Sequence, residues 1–104
     1  MKTTKRKALV RAGWRVGSAD EFLGLKREET ALLNMRLSLA GELRGRRTRM
    51  GLSQTELAVR LGSSQSRVAK MEAGEGDVSL DLLVRAMLAT GAKPREVGHA
   101  IAAA

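Results

Sequence analysis

The 104-residue chain carries 19 Lys and Arg against 11 Asp and Glu, a net charge of +8, and 43 % of its residues are hydrophobic. This length is that of one domain, and the composition can build a folded core, which excludes wholesale disorder. With no cysteine, one histidine, one Trp and one Phe, the chain lacks the residues for disulfides, multi-histidine metal sites and base-stacking platforms. The basic charge favours a polyanionic partner such as nucleic acid, the alternative being a well-solvated surface.

Hydropathy and carboxylate placement exclude further classes of protein. No apolar run approaches the roughly 18 residues of a membrane span, and the basic N-terminus is not followed by the apolar segment of a signal peptide. We therefore expect a soluble, cytoplasmic protein. Glu28, Glu29 and Asp81 fit first-turn helix acids better than a catalytic carboxylate pair. We expect no enzymatic activity, no bound metal and no cofactor.

Residues 1–25 form a predicted basic N-terminal extension. Every charge in residues 1–17 is positive, and Gly13 and Gly17 interrupt any helix there. Ser18 and Glu21 fit a capping box that would open a short helical turn. The extension also carries large apolar residues that favour burial against a partner protein, the alternative being the protein's own helices. These candidate partner-binding residues are Trp14, Phe22, Leu23 and Leu25.

A long helix is predicted over residues 26–50. Its apolar residues recur at spacings of three and four, which places them on one helix face. Gly41 and Gly45 weaken this helix and allow a break, because each glycine costs about 1 kcal/mol against alanine. The residues of the apolar face are Leu32, Met35, Leu39 and Leu43.

Two short helices are predicted to follow, separated by Gly62. Gly51 caps the end of the long helix, and a second capping box, Ser53 with Glu56, opens the first short helix. Gly62 can adopt a left-handed conformation and turn the chain. Ser64 caps the second short helix. The residues predicted to face inward are Leu57, Ala58 and Leu61 from the first helix and Val68 and Met71 from the second.

The last part of the chain predicts two more helices. Ser79 begins one that ends at Gly91, and Pro94 begins a short terminal helix that extends through Ile101. Leu83 and Met87, together with Ile101, are candidate contacts between two copies of the chain. The alternative is that these side chains belong to the core.

Two short helices joined by a tight glycine turn are typical of a helix-turn-helix. Ala58, four residues before Gly62, is small enough for a close helix crossing, and Val68 closes the contact from the second helix. The outward face of the second helix then offers amide, hydroxyl and cationic groups that can pair with base edges in the major groove. These residues are Gln65, Ser66, Arg67 and Lys70. The amides around Gln54, in the first turn of the preceding helix, suit a phosphate oxygen.

More than a dozen positions, taken together in residue type and spacing, resemble the Cro/C1 (xenobiotic-response-element) helix-turn-helix family. The positions are Arg44, Arg47, Gly51, Gln54, Leu57, Ala58, Leu61, Gly62, Ser64, Gln65, Ser66, Val68, Met71, Glu72 and Gly74. The resemblance covers roughly residues 36–91. It implies an all-α, compact bundle of about five helices like that of lambda repressor, with residues 26–104 as a DNA-binding domain. It also implies a homodimer on double-stranded operator DNA.

The resemblance also implies roles for individual residues. Gln54 would hold a phosphate, Gln65 and Ser66 would contact bases, and Arg67 and Lys70 would contact bases or phosphates. A partly buried salt bridge would join Arg47 to Glu72. Ser64, Arg44 and Arg49 complete the implied DNA-binding set, the two arginines through phosphates. Arg46 stands where many members have an aliphatic residue, and would add one more charge for DNA.

A narrower resemblance concerns residues 63–74 and 78–86, which are similar to HigA-type antitoxins. These proteins bind a small ribonuclease toxin of the RelE or HigB type and repress their own operon. The resemblance implies a transcriptional repressor that is also the antitoxin of a type II pair, with toxin contacts in the N-terminal extension or the long helix. Two alternatives stay open: a stand-alone repressor without a toxin, and a helical protein-interaction module that uses its basic surface.

Overall fold

The computed structural model describes residues 26–104. Within them the chain forms five α-helices and no strand, which confirms the predicted all-α class. The helices are α1 (Arg27–Arg49), α2 (Gln54–Leu61), α3 (Gln65–Glu72), α4 (Leu80–Ala89) and α5 (Pro94–Ala102). The predictions for the Ser18 cap and for Trp14, Phe22, Leu23 and Leu25 lie outside the described residues.

The chain divides into two units, Met1–Asn34 and Met35–Ala104, and the boundary falls within α1. Of the first unit the structure describes residues 26–34. There the Thr30 hydroxyl donates to the carbonyl of Lys26 over 3.2 Å. The rest of α1 and the four shorter helices belong to the second unit, which contains the residues with predicted roles on DNA.

Helix α1 is continuous through Gly41 and Gly45, so the break that these glycines allow does not occur. Leu39 and Leu43 are fully buried, as predicted, whereas Leu32 is 47 % exposed. The predicted apolar face of α1 is therefore buried at Leu39 and Leu43 but not at Leu32. Although α1 has 23 residues, no helix of residues 26–104 is both long and apolar enough to cross a membrane.

The core of the second unit is formed by α1 and the four short helices. Each short helix contributes two or three buried side chains, and burying one Leu, Val or Met side chain stabilises a fold by about 1.5–3 kcal/mol. Leu83 and Met87 are fully buried in this core, and Ile101 packs against it. Leu83 and Met87 are therefore core residues and not exposed contacts for a second copy. The largest fully buried side chains are Leu39, Leu43, Leu57, Met71, Leu83, Met87 and Val68.

Serine caps fix where three of the short helices begin. The hydroxyls of Ser53, Ser64 and Ser79 accept the amide hydrogen three residues later over 3.1–3.2 Å. The Glu56 carboxylate accepts a hydrogen bond from the Ser53 amide, which lowers the pKa of Glu56. Capping serines of this kind are worth about 1 kcal/mol each. All three caps were predicted from the sequence.

Candidate nucleic-acid interface

The turn between α2 and α3 has the predicted helix-turn-helix geometry. Gly62 has φ +64°, a left-handed conformation, and the following amide, of Ser63, donates to the carbonyl of Ala58 over 2.8 Å. Ala58 is 3 % exposed and Val68 is fully buried. The small side chain and the left-handed glycine let the two helices pack closely, which holds α3 in a defined orientation on α2.

Helix α3 has one buried face and one polar, exposed face. Val68 and Met71 point into the core. The amide, hydroxyl and cationic side chains of α3 lie on the opposite face and are exposed to solvent. The Ser64 hydroxyl caps the helix at the amide of Arg67 and lies 3.3 Å from the Ser66 hydroxyl. The exposed polar residues that the structure brings together on this face are Ser64, Gln65, Ser66, Arg67 and Lys70.

A chain of hydrogen bonds links this exposed face to a partly buried ion pair. Gln65 Nε2 donates to Gln54 Oε1 over 2.6 Å, and Gln54 Nε2 donates to Glu72 Oε1 over 3.2 Å. Arg47 Nη2 donates to the same Glu72 oxygen over 3.0 Å. We call Gln65, Gln54, Glu72 and Arg47 the glutamine relay.

The relay fixes how both amide groups are oriented. The Glu72 carboxylate, which is paired with Arg47, accepts hydrogen bonds, so Gln54 presents its nitrogen to Glu72 and its oxygen to Gln65. Gln65 therefore donates one N–H inward. Its second N–H and its carbonyl oxygen have no hydrogen-bond partner within residues 26–104. The sequence indicated Gln54 as a phosphate ligand but gave no sign of the link to Glu72.

Arg47 and Glu72 form the ion pair that the resemblance implies, and it is well shielded from solvent. The side chains are 15 % and 3 % exposed. Hydrogen bonding to Glu72 raises the pKa of the Arg47 guanidinium, and burial opposes this shift. Arg47 also donates to the Leu52 carbonyl over 2.8 Å. These contacts engage all three guanidinium nitrogens of Arg47 within the protein, so we do not include it among the candidate phosphate contacts.

Arg46 has a different environment from the one predicted. It donates from Nε to the Thr90 hydroxyl and from Nη1 to Glu96, both over 3.0 Å, and its side chain is 18 % exposed. Glu96 in turn accepts the Lys93 amide at the start of α5. The charge of Arg46, predicted to be available for DNA, is thus paired within the protein, where this arginine connects α1 to the ends of α4 and α5. We call Arg46, Thr90 and Glu96 the arginine clasp.

The other predicted cations differ in how free they are. The side chains of Arg44 and Arg67 are exposed and form no hydrogen bond or ion pair with any described residue. Arg49 pairs with Glu42 over 3.0 Å in an exposed contact. The Lys70 ammonium lies 3.9 Å from the carboxylate of Asp77. Among residues 26–104, no three histidine or carboxylate side chains come together in a way that could hold a metal ion.

Comparison with protein families agrees with this geometry. A family model described as a helix-turn-helix domain matches residues 38–100, more than half of the chain. The matched segment includes the second part of α1, the α2–turn–α3 unit, α4 and most of α5. No curated protein and no solved structure matches the chain.

Proposed function

Because the chain belongs to the helix-turn-helix domain family, whose domains bind DNA through their second helix, we propose that it is a sequence-specific repressor of transcription. The observation that carries this proposal is the exposed polar face of α3, which the glutamine relay and the Ser64 cap hold in place. Repression would follow from occupation of a promoter. The function requires no catalytic step.

Base recognition is assigned to Gln65, Ser66 and Arg67. The second N–H and the carbonyl oxygen of Gln65 match N7 and the exocyclic amine of adenine. The Arg67 guanidinium, which has no partner among the described residues, matches the two major-groove acceptors of guanine. Ser66 can donate to or accept from several base edges. Each bidentate contact of this kind discriminates against the wrong base by about 1–3 kcal/mol.

Phosphate contacts supply the remaining affinity. Arg44 and Arg49 lie in the last two turns of α1, and Gln54 begins α2, where backbone amides suit an anion. Lys70 on α3 is a further candidate for phosphates or bases. Since each neutralised phosphate releases counterions, binding should weaken steeply as salt rises.

The proposed assembly is a homodimer on a palindromic operator. Two copies of α3 would enter successive major grooves about 34 Å apart, one helical turn of DNA. The support for this arrangement is the class of domain, since dimeric helix-turn-helix proteins bind half-sites with that spacing.

Selection of bound duplexes from a random DNA library, at low and at near-physiological salt, tests the proposal. We expect an enriched palindrome whose half-sites lie one helical turn apart and contain adenine and guanine positions. Unpatterned binding that disappears as salt rises would contradict it. The basic surface would then favour the alternative of a protein-interaction module.

We further propose that the repressor is the antitoxin of a type II toxin-antitoxin pair. The support is the resemblance of residues 63–74 and 78–86 to HigA-type antitoxins, together with the large apolar residues of the N-terminal extension. The test compares the full chain with a variant that combines Trp14→Ala and Phe22→Ala, both titrated with purified RelE-type and HigB-type ribonucleases. We expect the full chain to inhibit one of them and the variant to lose inhibition while it still binds DNA. Failure of the full chain to inhibit either class would leave a stand-alone repressor.

A further inference from the structure

The loop after α3, residues 73–79, is anchored at several points. Its Gly74 has φ +66° and packs against Leu37, and the Glu75 amide donates to the Lys70 carbonyl over 3.1 Å. Val78 is 4 % exposed, and its carbonyl accepts a hydrogen bond from Arg36 Nε over 3.1 Å. These contacts hold the loop against α1 and the end of α3.

The anchored loop places a carboxylate beside a predicted DNA contact. Asp77 precedes the buried Val78, and its Oδ2 atom lies 3.9 Å from the ammonium of Lys70. Both side chains are more than half exposed. The contacts of Gly74 and Val78 on either side hold this part of the loop near α3 and keep Asp77 beside Lys70.

We propose that Asp77 competes with DNA phosphate for Lys70 and so lowers the affinity of the protein for DNA. This inference rests on the proposed DNA-binding function. A lysine ammonium is a compact point charge that binds a carboxylate or a phosphate oxygen without geometric preference. A phosphate that reaches Lys70 must therefore displace the Asp77 carboxylate or share the ammonium with it. Either event costs binding free energy through the repulsion of two anions.

Asp81 provides a matched control for this effect. It is also exposed and also forms an ion pair, with Arg85 one turn later on α4 over 2.9 Å. Replacing either aspartate by asparagine raises the net charge of the protein by the same amount. Only Asp77, however, is paired with a side chain of α3.

The test measures the affinity of the full chain and its variants for a non-specific DNA duplex by fluorescence anisotropy over a series of salt concentrations. Asp77→Asn should bind about twofold to fivefold more tightly than Asp81→Asn at low salt, which is the range of exposed ion-pair strengths. For Asp77→Asn, the slope of log affinity against log salt concentration should be steeper by up to about 0.9, which is the contribution of one phosphate contact. Circular dichroism of each variant checks the fold.

A second pair of variants tests whether the effect passes through Lys70. In a Lys70→Gln background, Asp77→Asn should tighten binding no more than Asp81→Asn does in the same background. Equal effects of the two aspartate substitutions in the wild-type background would overturn the inference, as would a full Asp77→Asn effect without Lys70. In both cases the proposed function would stand, because the wild type would still bind DNA. Absence of DNA binding by every variant would overturn both proposals.

Discussion

Two adjacent arginines of α1 have similar chemistry and opposite surroundings. Arg47 turns towards α3 and joins the glutamine relay, whereas Arg46 turns towards α4 and α5 and forms the arginine clasp. Successive helical residues point about 100° apart, which follows from 3.6 residues per turn. One dipeptide therefore connects α1 both to α3 and to the ends of α4 and α5.

The two networks differ most in the exposure of their acidic partners. The Glu72 side chain is 3 % exposed and the Glu96 side chain is 44 % exposed. An ion pair shielded from water is expensive to break, because the surviving charge is left buried and unpaired, whereas water replaces the partner of an exposed charge. The comparison indicates that removing one partner costs more stability in the glutamine relay than in the arginine clasp.

The largest predicted effect is that of Glu72→Ala. The Arg47 side chain is 15 % exposed, and the substitution leaves its guanidinium without a carboxylate partner. Because this charge is then poorly solvated and unpaired, the free energy of unfolding should fall by about 3–5 kcal/mol. The substitution also removes the acceptor that orients Gln54, so DNA affinity should fall even under conditions where the variant is folded. Urea unfolding measures the first effect. Glu96→Ala is the matched control with a much smaller expected loss, and equal losses in the two variants would contradict the comparison.

The glycines that follow α3, which carries the glutamine relay, and α4, which ends at the arginine clasp, also differ. Gly74, after α3, has φ +66°, and a Cβ there would lie 2.8 Å from Leu37 Cδ2. Gly91, after α4, has φ +90° with no atom within 4 Å of an added Cβ. Both alanine substitutions should cost about 1–2 kcal/mol for the left-handed backbone. Gly74→Ala should cost about 1 kcal/mol more, because Leu37 must move. Thermal unfolding of the two variants gives the order, and a larger loss for Gly91→Ala would refute it.

The smallest predicted effect is a pH dependence of the arginine clasp. The hydrogen bond from the Lys93 amide, assisted by Arg46, lowers the pKa of Glu96 from its ordinary value of 4.5. A carboxyl whose pKa is depressed on folding stabilises the protein above its unfolded pKa and loses that contribution as the pH falls through the folded value. The melting temperature of wild type should exceed that of Glu96→Gln at neutral pH and approach it below pH 4.5. A difference that is constant with pH would argue against a role for the Glu96 charge.

Local sequence signals predicted most of the fold, because they act over a few residues. The serine caps, the left-handed Gly62 and the apolar spacing of Val68 and Met71 each depend on neighbours in sequence. The exposure of Leu32 was not predictable in this way. Periodicity shows which face of a helix is apolar, but it does not show which part of that face is covered by other helices.

The candidate site was predicted less completely, for a physical reason. The exposed residues of α3 follow from helix geometry, but the partners of Gln54 and Arg46 lie 18 and 44 residues away along the chain. Such pairings depend on tertiary packing, which spacing alone does not encode. Ser63 is a similar case. Its hydroxyl is buried without a hydrogen-bond partner among the described residues, and no local pattern indicated it.

The central claim, that the exposed face of α3 recognises DNA, is tested most directly by comparing two exposed arginines. Arg67 lies on that face, and Arg95 lies on α5, where it lines a groove with Ser38 and His99. Neither side chain has a hydrogen bond or ion pair within residues 26–104, and each alanine variant loses one positive charge. The measurement is the affinity of each variant for the selected operator and for a scrambled duplex. Our account predicts that Arg67→Ala loses about 1–3 kcal/mol of preference for the operator, while Arg95→Ala weakens both duplexes slightly and equally. Equal behaviour of the two variants would contradict the claim.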